Sequence, residues 1–374
     1  MKGRAMRTFG IEEEYLLVDG DTGEPVPAGP QIRRELQVGS QLSVEFKQEQ
    51  IESGTRVHRV LEDLAADVVA CRALADRAAA AAGARAVALA TSPLLCEPTP
   101  TEDERFSRME QRFAQIARDQ LTCGCHVHVG VESDEEGVAV LDRIRSWLPL
   151  LAALSANSPF WNGADTGFAS YRSQVWGRWP MAGPYPVFGS AENYHRLIGE
   201  MLGTQVPMDH GQIYFDARLS NTHPTVEVRI ADVCLYADDA VLLAALVRAL
   251  VETTAREWRS GISAPDMPEC LLRLSSWRAG RFGMDGELVD PRGAALADTF
   301  TVAKSLLEYV RPVLEEQGEA TLVESLLRQV LARGTGARRQ RGVLARSQSM
   351  ARVVADSVLI SNLAVAPLTE RHEF

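Results

Sequence analysis

Residues 9–18 (FGIEEEYLLV), 42–53 (LSVEFKQEQIES) and 123–132 (CGCHVHVGVE) carry the pattern of β-strands, and the third alternates sides without a break. RAVALATSP, 85–93, reads as a buried strand. QIYFDARL (212–219) and TVEVRIAD (225–232) predict an antiparallel pair joined by SNTHP. Between these segments the period lengthens. Val57, Val60, Leu61, Leu64, Val68, Cys71 and Leu74 form one apolar stripe, which predicts a helix over 57–82. Glu102, Asp103 and Glu104 mark the first turn of another helix, where the dipole favours anions, and it ends near Gln120. Helices are also predicted over 137–156 and 191–203. From Asp238 the chain is mostly helical, with candidates at 238–261, 267–279, 299–317, 319–333 and 337–357.

Strands and helices are mixed rather than alternating as βαβ units. This predicts an α+β fold: a mainly antiparallel, curved sheet with helices packed on one side, followed by a helical C-terminal part. Neither a repeat nor a low-complexity linker interrupts the pattern, so 1–374 reads as a single domain. Residues 157–190 fit neither period. They are rich in Asn, Gly, Pro and aromatics, and a loop this long inside a compact domain is usually functional.

Composition narrows the class. At 46% hydrophobic, the chain can bury a large core. A net charge of −11 argues against a general nucleic-acid binder, which needs a basic face. No run approaches the roughly 18 apolar residues of a membrane span, and the basic start lacks the apolar stretch of a secretory signal. The six cysteines show no disulfide spacing, which places the protein in the reducing cytoplasm.

Four strand segments and one loop carry candidate chemistry. In GIEEEY, alternation puts Glu12 and Glu14 on one face and Glu13 on the other with Ile11 and Tyr15. Two carboxylates so close repel, and a divalent cation between them removes that cost. Taken alone, a solvated acidic edge is the simpler reading. In LSVEFKQEQIE, Glu45 and Glu49 share a face and Glu52 takes the other, unless a bulge intervenes. In CGCHVHVG, His126, His128 and Gly130 share one face, a pattern that suits metal binding with a ligand close to the backbone at the glycine. In TVEVRIAD, Val226, Val228 and Ile230 form the core face, leaving Glu227 and Arg229 together on the other. That pair fits a structural ion pair as well as a metal ligand beside an anion clamp. The loop 157–190 adds Arg172 and Arg178 among Phe160, Trp161, Trp176 and Trp179. There is no GxxxxGK[ST] phosphate loop, no GxGxxG fingerprint and no GxSxG elbow.

GIEEEYLLVD, EFKQEQIE, CGCHVHVG, DTGFASYRSQVW, TVEVRIADV and GMDGELVD, in this order, resemble the bacterial carboxylate–amine ligases, the second glutamate–cysteine ligase family, related to glutamine synthetase in fold. The resemblance runs from about residue 8 to 345 and implies one catalytic ligase domain on an antiparallel sheet. It also implies an ATP- and magnesium-dependent ligase, with manganese as an alternative ion. Such an enzyme phosphorylates L-glutamate or a related carboxylate and passes the acyl group to L-cysteine or another amine. Carried over by motif, Glu12, Glu14, Glu52, Glu227 and His126 look like metal ligands, with His126 also near the nucleotide. Arg172 and Arg229 look like anion clamps for phosphoryl and carboxylate groups, and His128 lies where substrate would sit. Arg278, carried over as a further cofactor-binding residue, remains in a segment, SSWRAGRFGMDG, that lacks the family's asparagine. This departure, with NGADTG in place of a basic residue before the Asp, bears on the substrates more than on the metal site. Two other readings suit parts of the pattern: a metal-dependent amide hydrolase that needs no nucleotide, and a nucleotide-binding sensor without turnover. Apolar surface on the C-terminal helices is compatible with a homodimer.

Overall fold

The structure is a computed structural model and describes residues 6–293 and 295–363; the ends of the expected single domain, 1–5 and 364–374, lie outside it. Seven strands make the main sheet: β1 (Phe9–Val18), β2 (Leu42–Val44), β3 (Gln50–Gly54), β4 (Arg85–Val87), β5 (Gly124–Gly130), β6 (Ala217–Leu219) and β7 (Thr225–Asp232). Their order is β6-β7-β5-β1-β3-β2, with β4 also pairing β1, and every pairing is antiparallel. This is the α+β arrangement that the hydrophobic pattern predicts.

Alternation decides what each strand shows to each face. On β5, Cys125, Val127 and Val129 are fully buried under the helices, which leaves His126 and His128 on the opposite side. On β1, Phe9, Ile11 and Tyr15 point inward, and Glu13 goes with them. That buried carboxylate takes Arg72 Nη2 at 2.5 Å and Nε at 2.9 Å, so the Leu61–Ala81 helix is ionically tied to the centre of the sheet. The same guanidinium caps the carbonyls of Cys234 and Leu235. The Ala237–Arg259 helix, about 35 Å long at 1.5 Å per residue, crosses the inner face with a continuous buried stripe that includes Leu243, Leu246, Val247, Leu250 and Val251. Asp238 and Asp239 occupy its first turn, where the dipole favours them. The helices Thr299–Gln317 and Ala320–Arg333 add a further layer over it.

Several boundaries differ from the pattern-based expectation, each for a local reason. The stretch 42–53 is two strands, because 45–49 leaves the sheet and Glu49 is used to accept the Thr99 amide at 3.0 Å. The helix expected from Val57 starts at Leu61, with Val57 and Val60 exposed before it. The 85–93 strand contracts to β4. The helix expected over 137–156 is Asp134–Ile144, capped by Ser133, then a 3₁₀ turn and Leu148–Ser155, whose second position is Pro149. The 337–357 helix breaks in two at Gln348, which takes a left-handed conformation (φ 54°), and Ser349 caps the second piece. Residues 212–219 divide into Tyr214–Phe215, paired with the loop strand Ala182–Gly183, and β6.

The largest correction concerns β7. Opposite β5 its register shifts between Val228 and Ala231, so one extra residue is accommodated. Val226 and Val228 are in the core as the alternation requires, but Ile230 is half-buried and Ala231 takes the inward position instead. Beyond the bulge Asp232 is turned to the outer face, where the amide of Asn157 and the hydroxyls of Ser158 and Ser170 donate to it at 2.7–2.8 Å. These bonds anchor both ends of the first half of the aromatic loop to the sheet.

Candidate active site

The outer face of the sheet gathers its polar residues by register. Glu12 lies opposite His126 across β1 and β5, and Glu227 lies opposite His128 across β7 and β5. Glu14 lies opposite Glu52 across β1 and β3. Glu12 Oε2 is 3.5 Å from His126 Nδ1 and 3.3 Å from His128 Nε2. Two groups of donor atoms result, Glu12–His126–Glu52 and Glu12–His128–Glu227, each with all three atoms within 4.8 Å of one another. Glu12 belongs to both. His128 Nδ1 is held at 3.1 Å from the Thr225 hydroxyl, so the ring is oriented with Nε2 turned toward Glu12. An imidazole fixed through one ring nitrogen and presenting the other to a carboxylate suits metal ligation.

The electrostatics fit a cation. Burial pushes the Glu52 carboxyl well above its usual range, and Glu45, Glu12 and Glu14 push it further. Glu14 is also raised by burial, although His126 offsets part of this. Burial would raise Glu12 too, but His126 and His128 together hold it well below the ordinary range. His126 is lowered by burial and by Arg229, so its imidazole favours the neutral form that a metal requires. His128 is raised, because Glu12 and Glu227 outweigh its burial. Hard carboxylate oxygens suit magnesium, and the two imidazoles make manganese equally suitable.

The anion side of the site is built from arginines. Glu227 holds both Arg229 and Arg218, the latter through Nε at 2.9 Å, and these cations overcome burial to keep its carboxyl low. Arg172 sits on the first turn of a short helix, Arg172–Trp176, fully buried, its guanidinium spread over the Ile230 and Arg229 carbonyls and 4.0 Å from Asp232. Gly124 makes this possible: a Cβ there would collide with Arg172 Nη2 and come within 3.0 Å of His126 Nε2. The Gly124 amide donates to Glu14 at 2.5 Å. The Nε atoms of Arg172 and Arg229 are buried without hydrogen-bond partners, as are those of Arg143, Arg145, Arg248 and Arg333 elsewhere in the fold. Trp176, Trp179, Tyr214, Phe46 and Phe106 wall the cavity, and Arg105, bonded to Asp209 at 2.8 Å, stands at its mouth.

The structure thus brings together Glu12, Glu14, Glu45, Glu52, His126 and Arg229 around one cavity, with His128, Glu227 and Arg172 adjoining. Glu45 and Glu52 face the same cavity, because the turn at 45–49 reverses the facing that a single strand would give. Arg278 is not brought in: its Nε donates to the Glu287 carbonyl at 3.1 Å and its guanidinium stacks over Phe282. Arg178 lies outside as well, 3.6 Å from Asp119. At Gly130 the Thr8 hydroxyl occupies the space a Cβ would need. Arg218 and Asp216 escape a reading of the sequence, although DARL alternates in step with TVEVR and places both on the outer face.

The comparisons with known proteins make this chain a carboxylate–amine ligase of the glutamate–cysteine ligase type. The chain belongs to glutamate–cysteine ligase family 2, whose model matches residues 8–358. It is 50% identical over 364 residues to a protein of Paenarthrobacter aurescens named "Putative glutamate--cysteine ligase 2-1", covering 95% of this chain and 94% of that one. A protein of the same name from Streptomyces avermitilis is 48% identical over 357 residues, covering 94% and 99% of the two chains. Among solved structures, the fold matches a bifunctional glutathione synthetase from Pasteurella multocida (TM-score 0.71, 15% identity), over 96% of this chain and 52% of that one. It also matches a glutamate–cysteine ligase from Francisella tularensis in complex with AMP (TM-score 0.67, 14% identity), over 96% and 89% of the two chains.

Proposed function

We propose that the protein uses ATP and a divalent cation to activate the carboxylate of glutamate or a close relative and joins it to cysteine or another amine. The observation that carries this reading is the sharing of Glu12 between two donor groups beside the Arg229–Glu227–Arg218 network. Phosphoryl transfer needs positioning and charge neutralisation rather than a protein nucleophile. Glu12, Glu52, Glu227, His126 and His128 would hold the cations, with Glu14 beside them. Magnesium, when bound, supplies charge neutralisation at the phosphates of ATP.

In this reading a carboxylate oxygen of the substrate attacks the γ-phosphorus, and the bond to ADP breaks. The amine then attacks the acyl carbon, a C–N bond forms, and phosphate leaves with the electron pair of the C–O bond while the proton lost by the amine nitrogen passes to the departing phosphate. Arg229 is held by Glu227 and Arg172 by backbone carbonyls, so both present charge to the transferring group without reorganising. The aromatic walls exclude water that would hydrolyse the acyl phosphate. All six cysteines are free thiols, which supports a cytoplasmic setting, and no described helix is long and apolar enough to cross a membrane.

The test is direct. Protein is incubated with ATP, magnesium, glutamate and a panel of amines, and ADP and coupled product are followed by mass spectrometry. Amine-dependent ADP with a product of the summed mass is expected. Amide cleavage in the absence of nucleotide, with no amine-dependent ADP, would sink the ligase reading in favour of a metal-dependent hydrolase.

A further inference from the structure

Three hollows lie in a row on the outer face, following β7 from Thr225 to Arg229 to Ile230. The first, about 250 Å³, is lined by Gly10, Val57, His128 and Thr225. The second contains Glu12, His126 and Arg229, and the third, about 310 Å³, lies against Arg172, Asp216, Ile230 and Trp277. Glu12 is common to the first and second, and Trp176 to the second and third. Glu12, one of the proposed cation-holding groups, therefore sits between the first two hollows, and the third meets the second at Trp176.

Asp216 is the unexplained group of the third hollow. It faces outward because Ala217 beside it is fully buried. Its backbone is satisfied, the amide donating to the Gly183 carbonyl and the carbonyl accepting from the Arg229 amide, both at 2.9 Å. Its carboxylate has no hydrogen bond and no ion pair among the described residues. Burial drives its pKa up to about 7, with Arg172 and Arg273 offsetting only part of that. A half-buried carboxylate without a partner is costly in free energy, and it stays tolerable where a ligand brings the partner. Arg273 stands at the rim of the same hollow, held by Glu269 at 2.8 Å, and Trp176 and Trp277 form the walls.

We propose that the third hollow binds the acceptor as an amino-acid zwitterion, its ammonium on Asp216 and its carboxylate on Arg273. This rests on the ligase reading above. In that chemistry the amine adds to a face of the planar acyl carbon before phosphate leaves, so it needs a binding place beside the reacting centre, and the third hollow meets the second at Trp176. That hollow carries one anion, Asp216, and one cation, Arg273, in its lining, with a volume of about 310 Å³. Neither group is needed to hold ATP or the activated carboxylate.

The experiment compares Asp216→Asn and Arg273→Ala with the unmodified enzyme, using ATP, magnesium and glutamate with either L-cysteine or cysteamine, its counterpart without a carboxylate. Asp216→Asn raises KM for both amines by about tenfold or more, the scale of one lost charge-assisted hydrogen bond, and shifts KM for ATP and glutamate less. Arg273→Ala raises KM for cysteine and spares cysteamine. Cysteine KM values within about twofold of the unmodified enzyme in both variants, or an equal effect of Arg273→Ala on the two amines, overturn the assignment. An unmodified enzyme that makes no amine-dependent ADP overturns the ligase reading instead. Calorimetric titration of cysteine then decides the hollow by itself: binding to the unmodified protein that is weakened in Asp216→Asn supports it, and equal binding or none overturns it.

Discussion

Glu12 joins the two halves of the candidate site. It is the single side chain shared by the two donor groups, and both histidines lean on the same oxygen, Oε2. Glu12→Gln keeps the shape and removes the charge. Amine-dependent ATP turnover should fall by about 100-fold or more, the scale of losing a group that stabilises developing charge, while circular dichroism is unchanged. Full activity would remove Glu12 from the site. Gly124→Ala tests the anion side, because its Cβ would displace Arg172. A misplacement of this size costs about 100-fold in rate, with the urea midpoint little changed; retention of more than half the activity would show that Arg172 is not positioned there for chemistry. At this scale the sequence was most informative on β1 and β5, where two-residue alternation separates Glu12, Glu14, His126 and His128 from their inward neighbours. It was least informative for Arg278, which lies on the Glu269–Phe282 helix and is held by the Glu287 carbonyl away from the main sheet, and for Asp216, whose significance depends on the absence of a partner rather than on its neighbours in sequence.

At the scale of elements, charges do structural work inside the sheet–helix interface. Arg72 reaches from the Leu61–Ala81 helix to Glu13, both buried, and adds bonds to the carbonyls after β7. Arg72→Met leaves a buried carboxylate without compensation and should destabilise the fold by about 3–5 kcal/mol in urea denaturation. Adding Glu13→Leu should recover much of that loss, since the pair can be exchanged for apolar packing. A single variant within about 0.5 kcal/mol of the parent, the level of an ordinary surface change, would deny the tie. The periodicity located β1, β5 and most helices but missed where a segment breaks. The 42–53 break depends on the Glu49 carboxylate accepting the Thr99 amide, a contact made 50 residues away. The break at Gln348 depends on one residue with φ 54°, and the bulge in β7 on pairing with β5. None of these leaves a mark on the order of apolar and polar residues.

The whole molecule carries its acidic excess unevenly, and several carboxylates are kept away from water. Asp216 is raised to about 7 by burial, and Asp239 to about 6 by burial with Arg333 offsetting part of it. Both bind protons more tightly folded than unfolded, so their stabilising contribution is fully present below about pH 4, the ordinary Asp range, and is lost as pH rises through 6 to 7. Asp216→Asn should therefore gain stability relative to the parent as pH is raised from 4 to 8; a pH-independent difference in melting temperature would refute this. The proposed cation site can be tested at this scale as well. A ligand that binds the folded state alone raises stability in proportion to the logarithm of its concentration. Magnesium should raise Tm of the parent progressively, EDTA should reverse the rise, and Glu12→Gln should show little of it.

The extra residue in β7 also has a historical consequence. It sets Asp232 facing the serines of the aromatic loop while Ala231 fills the core, and removing one residue from this strand would turn everything after it to the wrong side of the sheet. A lineage can change the composition of this strand gradually, but it cannot change its length one residue at a time without losing both the core contact and the loop anchor together. Insertions and deletions among related proteins should accumulate in 204–211 and 220–224 and be missing from 225–232, so that the length of this strand outlasts the identity of most residues in it.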